Sequence, residues 1–191
     1  RQFELIQELA DNVELPVQVT IASGFPKGDK LEFITQKVTE LGASQIWAFP
    51  ADWSVAKWDG KKLGKKVEKL EKIALGAAEQ SKRNLVPSVK LFEKKADFLA
   101  QFDQFDSIVV AYEESAKEGE AAALLQAVTG LEKGAKLLFI FGPEGGFSPA
   151  EIESFEAKGA VFAGLGPRIL RAETAPLYAL SALSVLVELE K

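Results

Sequence analysis

The chain has 191 residues, 47% apolar and 27% charged, with a net charge of −5, which allows one globular domain with a full core and possibly a small appendage. It holds no Cys and no His, so disulfides, thiolate zinc sites, cysteine nucleophiles and the commonest general base are excluded, and acid–base chemistry falls to Asp, Glu, Lys, Tyr or Arg. No apolar run approaches the roughly 20 residues of a membrane-spanning helix and no secretion signal is visible, so a cytoplasmic protein with no membrane partner and no metal is expected.

Residues 1–16 (RQFELIQELADNVELP) do not form a complete unit and read as the tail of an earlier domain or a linker, with Pro16 at the junction. Residues 17–22 (VQVTIA) read as a strand, 23–29 (SGFPKGD) as a turn with Asp29 as N-cap, and the next helix stacks Leu31, Ile34, Val38 and Leu41 on one face before Gly42. A strand over 45–49 is followed by a long helix over 61–82, whose buried stripe is Leu63, Val67, Leu70, Ala74 and Ala77. Residues 106–112 (DSIVVAY) read as a strand and 121–128 as a helix. The run KLLFIF at 136–141 suits a parallel strand covered on both faces. Ser148 then caps a helix with Pro149 at its first position and Glu151 at the capping-box spacing. A short strand over 160–165 and an apolar helix over 174–189 complete the pattern. Alternating strands and helices imply an α/β fold, with a mostly parallel sheet and helices on both faces. The domain is placed at residues 17–191.

Charge is unevenly distributed. From Lys57 to Arg83 there are nine Lys/Arg against four Asp/Glu. Lys62, Lys65, Lys66, Lys69 and Lys72 fall on one helix face away from the apolar stripe. That face has two readings, a solvated surface or a phosphate-binding patch extended by Lys82, Arg83 and Asn84. Trp47, Trp53 and Trp58 could stack on bases, with core packing the better reading for Trp47.

Two glycine-rich loops follow the last two strands. The first is Phe141-Gly142-Pro143-Glu144-Gly145-Gly146-Phe147. The second runs from Gly164 through Leu165, Gly166, Pro167, Arg168, Ile169, Leu170, Arg171, Ala172 and Glu173 to Thr174. Both lie at carboxyl ends of strands, where open α/β sheets place ligands, and glycine lets backbone amides approach a ligand closely. The alternative is a pair of tight strand-to-helix turns. Neither G-x-G-x-x-G after the first strand nor G-x-x-x-x-G-K-S/T is present, which argues against dinucleotide and P-loop chemistry.

The segments FGPEGGFSPAEIE and LGPRILRAETAPLYALSAL, together with KGDKLEFITQKVTELG at 27–42 and AAEQSKRNLVP at 77–87, resemble the ribosomal RNA small subunit methyltransferase E family of the SPOUT superfamily. The resemblance runs from about Val17 to the C-terminus. It implies a C-terminal trefoil knot, a homodimer, S-adenosyl-L-methionine as cofactor, and N3 of a uridine in 16S ribosomal RNA as the methyl acceptor. It also implies a preceding PUA-like barrel, of which residues 1–16 would be the remnant. Leu170 and Ser81 stand where many relatives carry Met and Cys. With the absence of Met, Cys and His, this points to a catalytic fragment or an engineered chain, chance being the other explanation. Such a fragment is expected to bind cofactor but to methylate RNA poorly.

Under this resemblance, Phe141, Gly142, Pro143, Glu144, Gly145, Gly146, Leu165, Gly166, Ile169, Leu170 and Thr174 are the expected cofactor site. Arg171 and Glu173 offer a cation and a base for deprotonating a ring nitrogen. Beside that role stands a structural Arg171–Glu173 pair; Glu144 reads either as orienting a cofactor or partner-subunit group or as a dipole partner for the helix that follows it. Other functions compatible with the residues are a methyltransferase acting on tRNA or another rRNA base, and a non-catalytic RNA-binding or knotted scaffold.

Overall fold

The computed structural model describes residues 12–112 and 121–189. Six strands form one sheet: β1 (Gln18–Gly24), β2 (Gln45–Phe49), β3 (Ser88–Leu91), β4 (Ser107–Ala111), β5 (Lys136–Phe141) and β6 (Val161–Ala163). Their order is β3-β2-β1-β5-β4-β6, and every neighbouring pair is parallel. The helices are α1 (Lys30–Glu40), α2 (Gly60–Gln80), α3 (Lys95–Leu99), α4 (Ala121–Thr129), α5 (Pro149–Ala157) and α6 (Thr174–Ser184), the last continued by a π-helical turn, Val185–Leu189.

Strand alternation sorts the core into two layers. Ile21, Val109, Leu137, Phe139 and Phe141 face Ile34 and Val38 of α1, Leu124 and Val128 of α4, and Ala179, Leu180 and Leu183 of α6. Their sequence neighbours Ala22, Val110, Leu138 and Ile140 face an aromatic layer with Phe98, Phe102 and Phe155. Phe98 stacks on Phe49 with ring centroids 4.1 Å apart. The KLLFIF run is buried from its second residue onward, because each face of β5 meets its own layer. This is the α/β fold with a parallel sheet that the strand–helix alternation implies.

Several boundaries differ from the sequence reading. Asp29 makes no side-chain capping bond; α1 instead starts from backbone bonds to the Asp29 carbonyl. Ser148 does cap α5, with the reciprocal Glu151 bond in place. The last predicted strand shrinks to three residues, which leaves Gly164–Glu173 as an irregular loop.

Arg83 is a correction. Its side chain is 3% exposed and pairs with Glu14, while Nη1 donates to the carbonyls of Thr39 and Ala43, at 2.8 and 2.9 Å. These carbonyls lie at and just beyond the C-terminal end of α1, where a cation meets main-chain acceptors and the negative end of the helix dipole. Arg83 is thus occupied inside the fold and has no face left for a phosphate. Glu14 and Leu15, on the far side of Pro16 from the predicted domain, are part of the same packing: Leu15 sits on the core and fills the space beside Gly42. Residues 1–11 lie outside the described residues.

Candidate active site

The carboxyl ends of β4, β5 and β6 open into a cleft of about 740 Å³. Its walls are the two glycine-rich loops. Phe141, Gly142, Pro143, Glu144, Gly145 and Gly146 line it from the first, and Leu165, Gly166, Ile169, Leu170 and Arg171 from the second. Lys30, Trp53, Tyr112, Phe147 and Arg168 line it too. Neither Thr174 nor Glu173 is among the residues lining the cleft: the Thr174 N–H donates to the Arg171 carbonyl to start α6, and Glu173 pairs with the lining residue Lys30.

The glycines shape these loops by lacking a Cβ. A Cβ on Gly142 would lie 3.2 Å from the Gly146 Cα, and one on Gly145 would lie 3.0 Å from the Trp53 Cβ. Gly146 and Gly166 have φ of 74° and 94°, a region that side-chain-bearing residues rarely adopt. Below the first loop, a Cβ on Gly24 would lie 2.6 Å from Pro143 Cδ, so the end of β1 supports the loop directly.

One corner of the cleft is ionic. Lys30 Nζ lies 3.0 Å from Glu144 Oε1 and 3.2 Å from Glu173 Oε2, and the Lys27 N–H donates to Glu144 Oε1 at 3.0 Å. The Lys30–Glu173 contact is an ion pair without hydrogen-bond alignment, and Glu173 Oε2 is buried with no hydrogen-bond donor among the described residues. One ammonium against two carboxylates leaves this corner net anionic. Glu144 therefore engages the start of α1. Glu173 pairs with Lys30 instead of Arg171, so the structural Arg171–Glu173 pair is not formed. Arg168 and Arg171 are exposed and have no carboxylate partner among the described residues.

The hydrogen bond to Glu144, against opposing desolvation, raises the Lys30 pKa above its ordinary 10.5. Burial pushes the Glu144 carboxyl up, but the hydrogen bonds from the Lys27 and Glu144 N–H groups and from Lys30 outweigh it, and the net shift is downward from 4.5. A raised Lys pKa adds stability that is complete below its unfolded value and fades as pH rises through the folded one. A lowered Glu pKa adds stability present above its unfolded value that fades as pH falls through the folded one. The stability difference between the parent and Lys30→Met, measured by urea unfolding, should therefore be flat from about pH 5 to pH 10 and shrink on both sides. A difference that peaks sharply inside that window would refute the pairing.

On α2, Lys62, Lys65, Lys69 and Lys72 are exposed, as are Lys82 and Asn84 beyond it. Lys66 lies over the Trp58 ring at 4.1 Å, and Lys69 pairs with Glu32 at 2.7 Å. Trp58 packs on Phe25, and Trp47 is buried in the aromatic layer. Among the described residues no acidic cluster could hold a metal ion, and no helix is long and apolar enough to cross a membrane.

The sequence model of the RNA methyltransferase domain matches residues 13–184. The ribosomal RNA small subunit methyltransferase E of Bacillus subtilis is 54% identical over 185 residues, covering 97% of this chain and 72% of the relative. Its counterpart from Mesomycoplasma hyopneumoniae is 33% identical, covering 93% and 74%. The crystal structure of the Neisseria gonorrhoeae enzyme of the same name, bound to S-adenosyl methionine, superposes with a TM-score of 0.77 at 28% identity, over 95% of this chain and 72% of that one. Matches of this extent, spanning both glycine-rich loops, show that the chain belongs to the ribosomal RNA small subunit methyltransferase E family of RNA methyltransferases.

Proposed function

We propose that this chain moves the methyl group of S-adenosyl-L-methionine to N3 of a uridine in 16S ribosomal RNA. The observation that carries the reading is the cleft at the strand ends, walled by two glycine loops, with Arg171, which has no carboxylate partner among the described residues, in its lining and the Glu173 carboxylate paired to the lining residue Lys30. The cofactor fits the residues present: Pro143, Leu165, Ile169 and Leu170 give apolar walls for adenine, and the glycines bring backbone amides close. Bound there, the cofactor supplies an electrophilic methyl group on a sulfonium. The loops hold donor and acceptor in line, which alone can supply much of the rate. Uridine N3 must lose its proton, and negative charge then spreads to the neighbouring carbonyl oxygens. Glu173 accepts or orients that proton, and Arg171 stabilises the uracil anion. The exposed Lys62, Lys65, Lys69, Lys82 and Asn84, with the half-buried Lys66 beside them, contact RNA phosphates.

The test pairs calorimetry with S-adenosyl-L-methionine and mapping of methylated uridine in 16S RNA after incubation with small ribosomal subunits. Methyl groups found only on another base or on tRNA would move the substrate assignment. No heat of binding from a folded sample would remove the cofactor site.

The same reading includes a cytoplasmic location, residues 1–16 as the tail of a preceding RNA-holding unit, a trefoil threading of the C-terminal segment and a two-fold homodimer. Tyr178, Val185 and Leu189 are exposed along α6 and its π turn, an apolar strip that a second copy would cover. Sedimentation at micromolar concentration should give twice the chain mass, and Tyr178→Glu with Val185→Glu should return it to one. A parent monomer under those conditions would rule the dimer out.

A further inference from the structure

We propose that Trp53 is the stacking platform for an unpaired nucleobase of the RNA at the mouth of the cleft, an inference that rests on the reading of the chain as an RNA methyltransferase. Trp53 follows β2, in the segment that leads to α2. It is 50% exposed, whereas Trp47 is 3% exposed and Trp58 packs against Phe25 with the rings tilted. Among the described residues no ring pair, cation contact or hydrogen bond engages its indole. The fold therefore leaves this ring open at the wall of the cleft.

Its backbone is held firmly. Gly145 has no room for a Cβ because Trp53 Cβ and O lie 3.0 and 3.1 Å from that position. The neighbouring Asp52 N–H donates to Glu151 Oε1 at 2.9 Å. The Asp52 carboxylate pairs with Lys95 and accepts from the Ser148 hydroxyl, and Lys95 also pairs with the fully buried Glu151 carboxylate at 3.2 Å. The hydrogen bonds from Lys95 and Ser148 hold the Asp52 carboxyl below its ordinary range. This ionic cluster fixes the segment that carries the indole while the ring itself stays unpartnered. That is a preorganised surface for a planar ligand.

Charge selects which planar ligand. Arg168 and Arg171 line the same cleft, and from Trp53 the chain runs through Lys57 onto the lysine face of α2. An aromatic ring flanked by cations suits a base on a polyanionic strand. S-adenosyl-L-methionine carries a net positive charge and gains nothing from that lysine face. Pro143, Leu165, Ile169 and Leu170 already offer its adenine an apolar wall.

The probe is a fluorescein-labelled single-stranded uridine hexamer, with an abasic hexamer as backbone control, followed by anisotropy at low salt. Trp53→Ala and Trp53→Leu should weaken the uridine hexamer by about 5- to 150-fold, the range measured for loss of one base–aromatic stack. Trp53→Phe should keep most of the affinity. The abasic hexamer should bind all four proteins alike, and calorimetry should show S-adenosyl-L-methionine affinity within about twofold of the parent. Equal hexamer affinity across the set, no hexamer binding by the parent, or a loss in Trp53→Ala that falls on the cofactor would overturn the proposal. Failure of the parent to bind S-adenosyl-L-methionine would strike the cofactor assignment instead, because the two measurements are separate.

Discussion

Glu173→Gln and Arg171→Ala should each lower turnover on small ribosomal subunits by about 10²- to 10⁴-fold, the usual worth of a positioned acid–base or charge-stabilising group. S-adenosyl-L-methionine affinity should change by less than about threefold, because groups that act mainly as charge develops contribute little to ground-state binding. Glu173 Oε2 is buried without a hydrogen-bond donor among the described residues, and only Lys30 faces it. The Gln variant keeps the shape and loses the proton acceptor. Arg171 has no carboxylate partner among the described residues and lines the cleft, so its truncation should cost little stability. Turnover equal to the parent would take both groups out of the reaction. A drop in turnover matched by a fall in the unfolding midpoint would assign them to holding the loop.

Arg83→Met should destabilise the fold by about 3–5 kcal/mol, the cost of removing one member of a buried ion pair. The Glu14 carboxylate and the carbonyls of Thr39 and Ala43 all lose the guanidinium, while Thr39 keeps the Gly42 N–H and Glu14 the Leu85 N–H. Glu14→Gln should cost less, since Glu14 is 20% exposed while Arg83 is 3% exposed. By contrast, Lys62→Ala or Lys65→Ala on the open face of α2 should leave stability within about 0.5 kcal/mol of the parent and lessen the salt dependence of RNA binding. Urea unfolding and salt-dependent RNA titration read these two effects separately. An Arg83→Met protein as stable as its parent, with weakened RNA binding, would restore Arg83 to the phosphate surface.

Where the chain's own periodicity was strong, the fold was legible. KLLFIF is apolar at five of its six positions because β5 is central and covered twice, and Ser148–Glu151 shows its cap in four residues. β3 left no such mark: it is four residues at the sheet edge, alternating exposed and half-buried, and it is followed by a helix of only five residues. Arg83 was read as part of a basic run because a linear count of charge contains no burial, and its partner Glu14 lies 69 positions earlier. The glycine loops were legible as local chemistry. Lys30 was not placed in the site, and Trp53 was offered only as one of three tryptophans that could stack on bases, because both reach the cleft from the segments after β1 and β2, which only the strand order brings near β5. Tyr112, the final residue of a predicted strand, carried a signal, since carboxyl ends of strands are where such clefts form.

The contact between Lys27 and Glu144 joins residues 117 positions apart, and the Lys30 pair with Glu173 closes a still longer loop. Contacts of that span form only after the intervening strands have lost their chain entropy to pairing. The ionic corner should therefore be absent from the folding transition state. Its removal should leave the refolding rate nearly unchanged and speed unfolding. Lys30 would then govern how long the native molecule persists, with little influence on how quickly it is reached.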